Sequence, residues 1–97
     1  MTDNSETLDK LWLIIEEKSK GKDENSYTNT ILKKDISYVA RKMGEEAIET
    51  LVAALSQTKE DTVNESADLI YHWHLLLKKL DINLEQVYEE LENRMSS

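Results

Sequence analysis

The sequence has no cysteine, no proline and no phenylalanine, and only two glycines. Without cysteine it can form neither a disulfide nor a thiolate metal site. Without proline, and with glycine only at Gly21 and Gly44, little interrupts a helix, and the excess of Glu, Lys, Leu and Ala favours helices over strands. Positive charge is scarce as well. Twenty acidic residues against 12 Lys and Arg give a net charge of -8, which argues against nucleic-acid binding. It does not argue against a nucleotide substrate, because a bound cation reverses the local sign. No apolar run approaches membrane-spanning length, and the polar N-terminus lacks the apolar core of a signal peptide. The expectation is a cytoplasmic protein without membrane contact. A chain of 97 residues has room for one small domain, residues 1–97, built as an all-α helical bundle.

What the chain does have is carboxylates at helical spacing on both sides of one short turn. Lys42 to Glu49 reads K-M-G-E-E-A-I-E, and Glu65 to His72 reads E-S-A-D-L-I-Y-H. Each helical residue advances about 100°, so Glu45, Glu46 and Glu49 share one arc, and Glu65 and Asp68 share another. If the two segments are helices joined near Gln57, residues equidistant from the turn become neighbours. Glu49 then meets Glu65, Glu46 meets Asp68, and Lys42 lies level with His72. Stacked carboxylates repel and cannot all stay ionised in a water-poor site without a counter-charge. A divalent cation supplies it. Oxygen ligands favour Mg²⁺, with Mn²⁺ as the second choice, and Mg²⁺ commonly completes its shell with water and substrate phosphates.

The remaining helices follow from periodicity. Leu8, Leu11, Trp12 and Ile15 form a stripe on a helix starting near Ser5, widened by Ile14. A polar stretch from Ser19 to Ser26 reads as an exposed loop, and Thr30 to Lys34 read by periodicity alone as a surface connection. A helix capped by Asp35 should run to about Ser56, packing Ile48, Leu51, Val52 and Leu55, with Gly44 marking a close approach. Thr58 and Asp61 make a capping box for the next helix. That helix carries Ala67, Ile70, Tyr71 and His74 on one stripe and Leu69, Trp73, Leu76 and Leu80 on another, so it should lie buried between partners, with His74 satisfied inside. Asn83 and Gln86 cap a last helix, whose Leu84, Val87, Tyr88, Leu91 and Met95 should cover the core. One short chain can hardly bury all of this, so a homodimer or larger homo-oligomer is expected, with the central hairpins forming a four-helix core.

The pattern E-E-x-x-E followed by E-x-x-D is similar to that of the MazG-type all-α nucleotide pyrophosphohydrolases. Within that superfamily K-M-G-E-E-A-I-E, E-S-A-D-L-I-Y-H and the S-Y-T of Ser26 to Thr28 most resemble phosphoribosyl-ATP pyrophosphohydrolase, over about Leu11 to Leu91. The resemblance implies hydrolysis of 1-(5-phosphoribosyl)-ATP to 1-(5-phosphoribosyl)-AMP and pyrophosphate, the second step of histidine biosynthesis. It implies paired subunits and a metal held among Glu45, Glu46, Glu49, Glu65 and Asp68, with Glu46, Glu49 and Lys42 nearest the chemistry. It places Ser26, Tyr27, Thr28, Lys33 and Lys34 beside the substrate. By their level on the hairpin Lys42, and less directly Arg41, join them. His72, which continues the stripe of Glu65 and Asp68, either contacts substrate or supports the site structurally. Two rivals are a house-cleaning nucleoside triphosphate pyrophosphohydrolase of another base specificity and a non-catalytic helical interaction module.

Overall fold

The computed structural model describes residues 4–21 and 25–96; residues 22–24, the middle of the expected loop, lie outside the described part. Five helices follow one another, and no strand occurs among the described residues: α1 Thr7–Lys20, α2 Tyr27–Leu32, α3 Ile36–Ser56, α4 Lys59–Lys79 and α5 Leu84–Met95. The hairpin of α3 and α4 is the scaffold. Asp35 starts α3 by accepting from the Tyr38 amide, and Thr58 and Asp61 close a reciprocal capping box at the head of α4. Between them the chain turns at Gln57, and fully buried Ala53 lets the two arms approach closely beside the turn.

The apolar core sits at the far end of the hairpin. Ile15 from α1, Ile31 from α2, Val39 from α3 and Leu75 from α4 pack together, with Leu11, Tyr38, Tyr71 and Leu76 against them. His74 is fully buried between α1 and α4, with Nδ1 2.8 Å from the Ile70 carbonyl and Nε2 3.3 Å from that of Leu8; a carbonyl only accepts, so a neutral ring donates to one of the two. At the end of α4 the chain reverses through Asp81, whose φ of 59° places it in the left-handed region. The Ile82 amide donates to Leu77 O and the Asp81 amide to Lys78 O, which is a Schellman closure.

Three expectations change. The stretch from Tyr27 to Leu32 is a helix, capped by the Ser26 side chain and closed by Lys79 Nζ donating to Leu32 O, rather than a plain surface connection. Ile48, Leu51, Val52 and Leu55 do not pack within the chain: Leu51 is 62 % exposed and Leu55 86 %. Trp73 and Leu76, by contrast, are half covered by the chain itself. Finally, α5 buries only Leu84 and leaves Leu91 and Met95 exposed, so it attaches by its first turns, where the Tyr88 hydroxyl donates to Asp9, and does not cover the core.

Candidate metal and phosphate site

The inner face of α3 carries Lys42, Glu46 and Glu49 on successive turns, and that of α4 carries Glu65, Asp68 and His72. Folding at Gln57 brings carboxylate oxygens of Glu46, Glu49 and Glu65 within 4.8 Å of one another. Glu46 and Glu65 are half-buried and Glu49 is exposed, beside a cleft of about 280 Å³ lined by Ile48, Val52, Gln57, Glu49 and Glu65. The Oε2 atoms of both Glu46 and Glu65 are buried without a hydrogen-bond partner. Asp68 is exposed and stands outside this trio, though its charge acts on Glu46 and Glu65.

The electrostatics record the crowding. The shared contact with Glu49, then burial, pushes Glu65 up to about 6. Burial, then the neighbouring Glu49, raises Glu46 above the usual carboxylate range. Glu49 is lowered, because it accepts hydrogen bonds from both flanking groups. The three carboxyls are thus coupled, Glu65 and Glu46 holding their protons more tightly than an ordinary carboxylate and Glu49 less tightly. Three hard oxygen donors, two with oxygens that nothing else satisfies, fit a small divalent cation in place of those protons.

Glu45 is not brought to the trio. It points along the outside of α3 and pairs with Lys42 at 3.3 Å and Arg41 at 3.8 Å. That contact holds the Lys42 ammonium above its usual range. Arg41 and Lys34 both lie over the Tyr38 ring, at 5.3 and 5.4 Å from its centre, while Lys33 ends α2 in solvent.

The S-Y-T triplet is split between tasks. Ser26 caps α2 by accepting from the Asn29 amide at 3.3 Å. Thr28 is buried with its hydroxyl on that of Tyr71, and only half-exposed Tyr27 stands at the surface, 2.8 Å from His72 Nε2. Burial raises the Tyr27 phenol, partly offset by Lys42, and Glu46 adds to the rise. Thus Tyr27 links the lysine end of the carboxylate row to α2.

The chain matches the family described as phosphoribosyl-ATP pyrophosphohydrolase over residues 8–95. It belongs to that family. Among similar proteins is the phosphoribosyl-ATP pyrophosphatase of Sulfurisphaera tokodaii, 47% identical over 92 residues, which covers 95% of this chain and 98% of the relative. That of Metallosphaera sedula is 46% identical over 91 residues, covering 94% and 98%. That of Ignicoccus hospitalis is 40% identical over 90 residues, covering 93% and 88%.

Sequence reasoning missed two residues of the candidate site region in this phosphoribosyl-ATP pyrophosphohydrolase family member. Tyr71 secures Thr28, and Tyr38 receives Arg41 and Lys34. For Tyr71 a signal existed: Tyr71 and His72 are adjacent, as are Tyr27 and Thr28, and two adjacent pairs can form two parallel rungs. Tyr38 carried no such signal, because its role depends on cations that arrive from α2 and from the next turn of α3.

Proposed function

We propose that this chain hydrolyses the phosphoanhydride bond between the α- and β-phosphates of 1-(5-phosphoribosyl)-ATP, releasing 1-(5-phosphoribosyl)-AMP and pyrophosphate, the second step of histidine biosynthesis. The observation that carries the reading is the meeting of Glu46, Glu49 and Glu65 with two buried, unpartnered oxygens, in a chain of this family. These three, with Asp68 one turn along α4, would hold Mg²⁺, with Mn²⁺ as the alternative. When bound, the cation offsets the charge of the phosphate oxygens and acidifies a water. A carboxylate oxygen not taken up by the cation would accept the proton of the attacking water, and Glu49, the exposed member of the trio, is our candidate. Lys42 supplies positive charge for the departing pyrophosphate, after exchanging Glu45 for a phosphate oxygen. Glu45 itself stays with its basic partners.

The working unit in this reading is a homodimer. Ile48, Leu51 and Leu55 on α3 and Val63, Ala67 and Ile70 on α4 form exposed apolar rows at helical spacing. Gly44 continues the α3 row, and a side chain there would meet nothing within the chain, which suits the approach of a second helix. Symmetric pairing of two hairpins makes a four-helix core and removes a large wet apolar surface. No described helix is long and apolar enough to cross a membrane, in keeping with a cytoplasmic setting.

Pyrophosphate release from phosphoribosyl-ATP, dCTP and dUTP in parallel, with and without Mg²⁺, tests the reading. Turnover should require Mg²⁺ and favour phosphoribosyl-ATP. Preference for a deoxynucleotide would transfer the site to the house-cleaning reading, and silence on all three would leave a helical interaction module.

A further inference from the structure

Helix α2 is fastened to α4 by two adjacent rungs. The Tyr27 phenol lies 2.8 Å from His72 Nε2, and the Thr28 hydroxyl bonds that of Tyr71. On its other side His72 Nδ1 lies 2.8 Å from the Asp68 carbonyl. A carbonyl can only accept, so Nδ1 carries a ring proton; in the tautomer with that proton alone, Nε2 accepts and the Tyr27 O–H donates to it. The ring is buried and held edge-on by Tyr27 and Tyr71, at centroid separations of 5.8 and 5.3 Å, so this orientation is fixed by packing. The phenol oxygen is left with lone pairs alone. Phosphate oxygens also offer only lone pairs, so Tyr27 is poorly suited to hold a phosphate.

We infer that Tyr27 and His72 are positioning residues, which act through the Asp68 turn of α4 and govern turnover rather than substrate capture. The inference rests on the hydrolytic reading given above. Two hydrogen bonds in series carry position from α2 to the backbone of a residue in the carboxylate row, so the Tyr27 hydroxyl and the Asp68 turn move together. Nothing in this chain of contacts needs substrate present. A small displacement of that turn disturbs alignment in the transition state more than it disturbs binding of the ground state.

A double-mutant cycle between Tyr27→Phe and His72→Asn tests this. Asn keeps a donor where Nδ1 stands but offers Tyr27 no acceptor. Each single variant should lower kcat by about tenfold, as removal of a supporting hydrogen bond commonly does, with KM moving by less than about twofold. The double variant should be no worse than the poorer single one. Nitrogen NMR of the His72 ring supplies a readout without substrate: the wild type should show a protonated Nδ1 and a hydrogen-bonded Nε2, and Tyr27→Phe should shift the Nε2 signal alone. A raised KM with unchanged kcat, multiplying effects in the double variant, or a ring protonated at Nε2 each overturns the inference. The cycle is run on whichever of phosphoribosyl-ATP, dCTP or dUTP the wild type cleaves, so a wrong substrate shows as a changed preference. If the wild type cleaves none, the functional reading fails and this inference fails with it.

Discussion

Glu46 Oε2 and Glu65 Oε2 come from the two arms of the α3–α4 hairpin, and both are buried without a hydrogen-bond partner. Leaving such atoms unsatisfied costs on the order of 1–3 kcal/mol each, a cost that a bound cation or shared protons would remove.

Replacing Glu49 by Gln or Asp68 by Asn should therefore separate activity from stability. We expect turnover to fall about a hundredfold or more, equivalent to about 3 kcal/mol of transition-state stabilisation. Helicity by circular dichroism should stay intact. For Asp68→Asn, which removes a charge that repels Glu46 and Glu65, the midpoint of thermal unfolding without Mg²⁺ should hold or rise. A variant that unfolds, or one that turns over normally at saturating Mg²⁺, contradicts the assignment.

The pH dependence of the metal-free protein should run opposite to that of an ordinary paired carboxylate. Glu65 is raised from 4.5 to about 6 and Glu46 is shifted the same way. The folded state thus binds these protons more tightly than the unfolded chain. Their stabilisation is fully present below about pH 4.5 and disappears as pH rises through about 6. Glu49, lowered, has the other sign, and its contribution is lost only in more acid solution. Melting curves without metal should show stability declining across the 4.5-to-6 window, and the upward shift on adding Mg²⁺ should grow with pH. A metal-free midpoint that climbs through this window would contradict the shared-proton picture.

Association should be sensitive on the α3 row. Leu51→Glu or Leu55→Glu places a charge on a residue that is largely exposed in one chain, where it should cost little. If two hairpins pair, it buries an unpartnered carboxylate and should halve the mass seen in sedimentation, with activity falling in parallel. Gly44→Ala sharpens the same question. In a lone chain it meets open space and should gain about 1 kcal/mol of helix propensity. At a close helix crossing it should instead weaken the dimer. A fully active monomer at micromolar concentration would remove the four-helix core from the account.

At the α4–α5 junction, Asp81→Gly should stabilise the fold. Asp81 holds a φ of 59°, where an L side chain meets its own carbonyl. Removing that side chain keeps both Schellman hydrogen bonds and should add about 0.5–1 kcal/mol. Denaturant unfolding should show a higher midpoint with an unchanged slope.

The hairpin was readable because each of its signals is local. Asp35, Thr58 and Asp61 announce the helix starts, and the spacing of Glu46, Glu49 and Glu65 announces the facing carboxylates. Helix α2 was not, since six residues make too few turns to show a period, and its cap at Ser26 looks like any loop serine. Periodicity also identifies an apolar face without saying what covers it. Trp73 and Leu76 looked like partner-facing residues, yet Leu76 packs against the core of its own chain, while the Ile48 to Leu55 row, expected to pack, is exposed in a single chain. Glu45 and Glu46 are neighbours in sequence and equally acidic. Only the rotation of about 100° between them decides that Glu46 enters the cluster while Glu45 turns to Arg41 and Lys42.

The two hairpin arms have the same length, 21 residues each, and Glu49 and Glu65, which meet across the hairpin, lie at equal distances from Gln57. The count of residues along each arm is thus a ruler that sets which side chains meet. Inserting or deleting one residue between the turn and Glu49, or between the turn and Glu65, would rotate that arm's inner face by about 100° and slide it by about 1.5 Å. Point substitutions in this span alter a single rung, but a length change dismantles every rung beyond it. Among descendants of this chain, insertions and deletions should accumulate outside the stretch from Lys42 to His72 and be purged within it, so that gaps alone would trace the outline of the site.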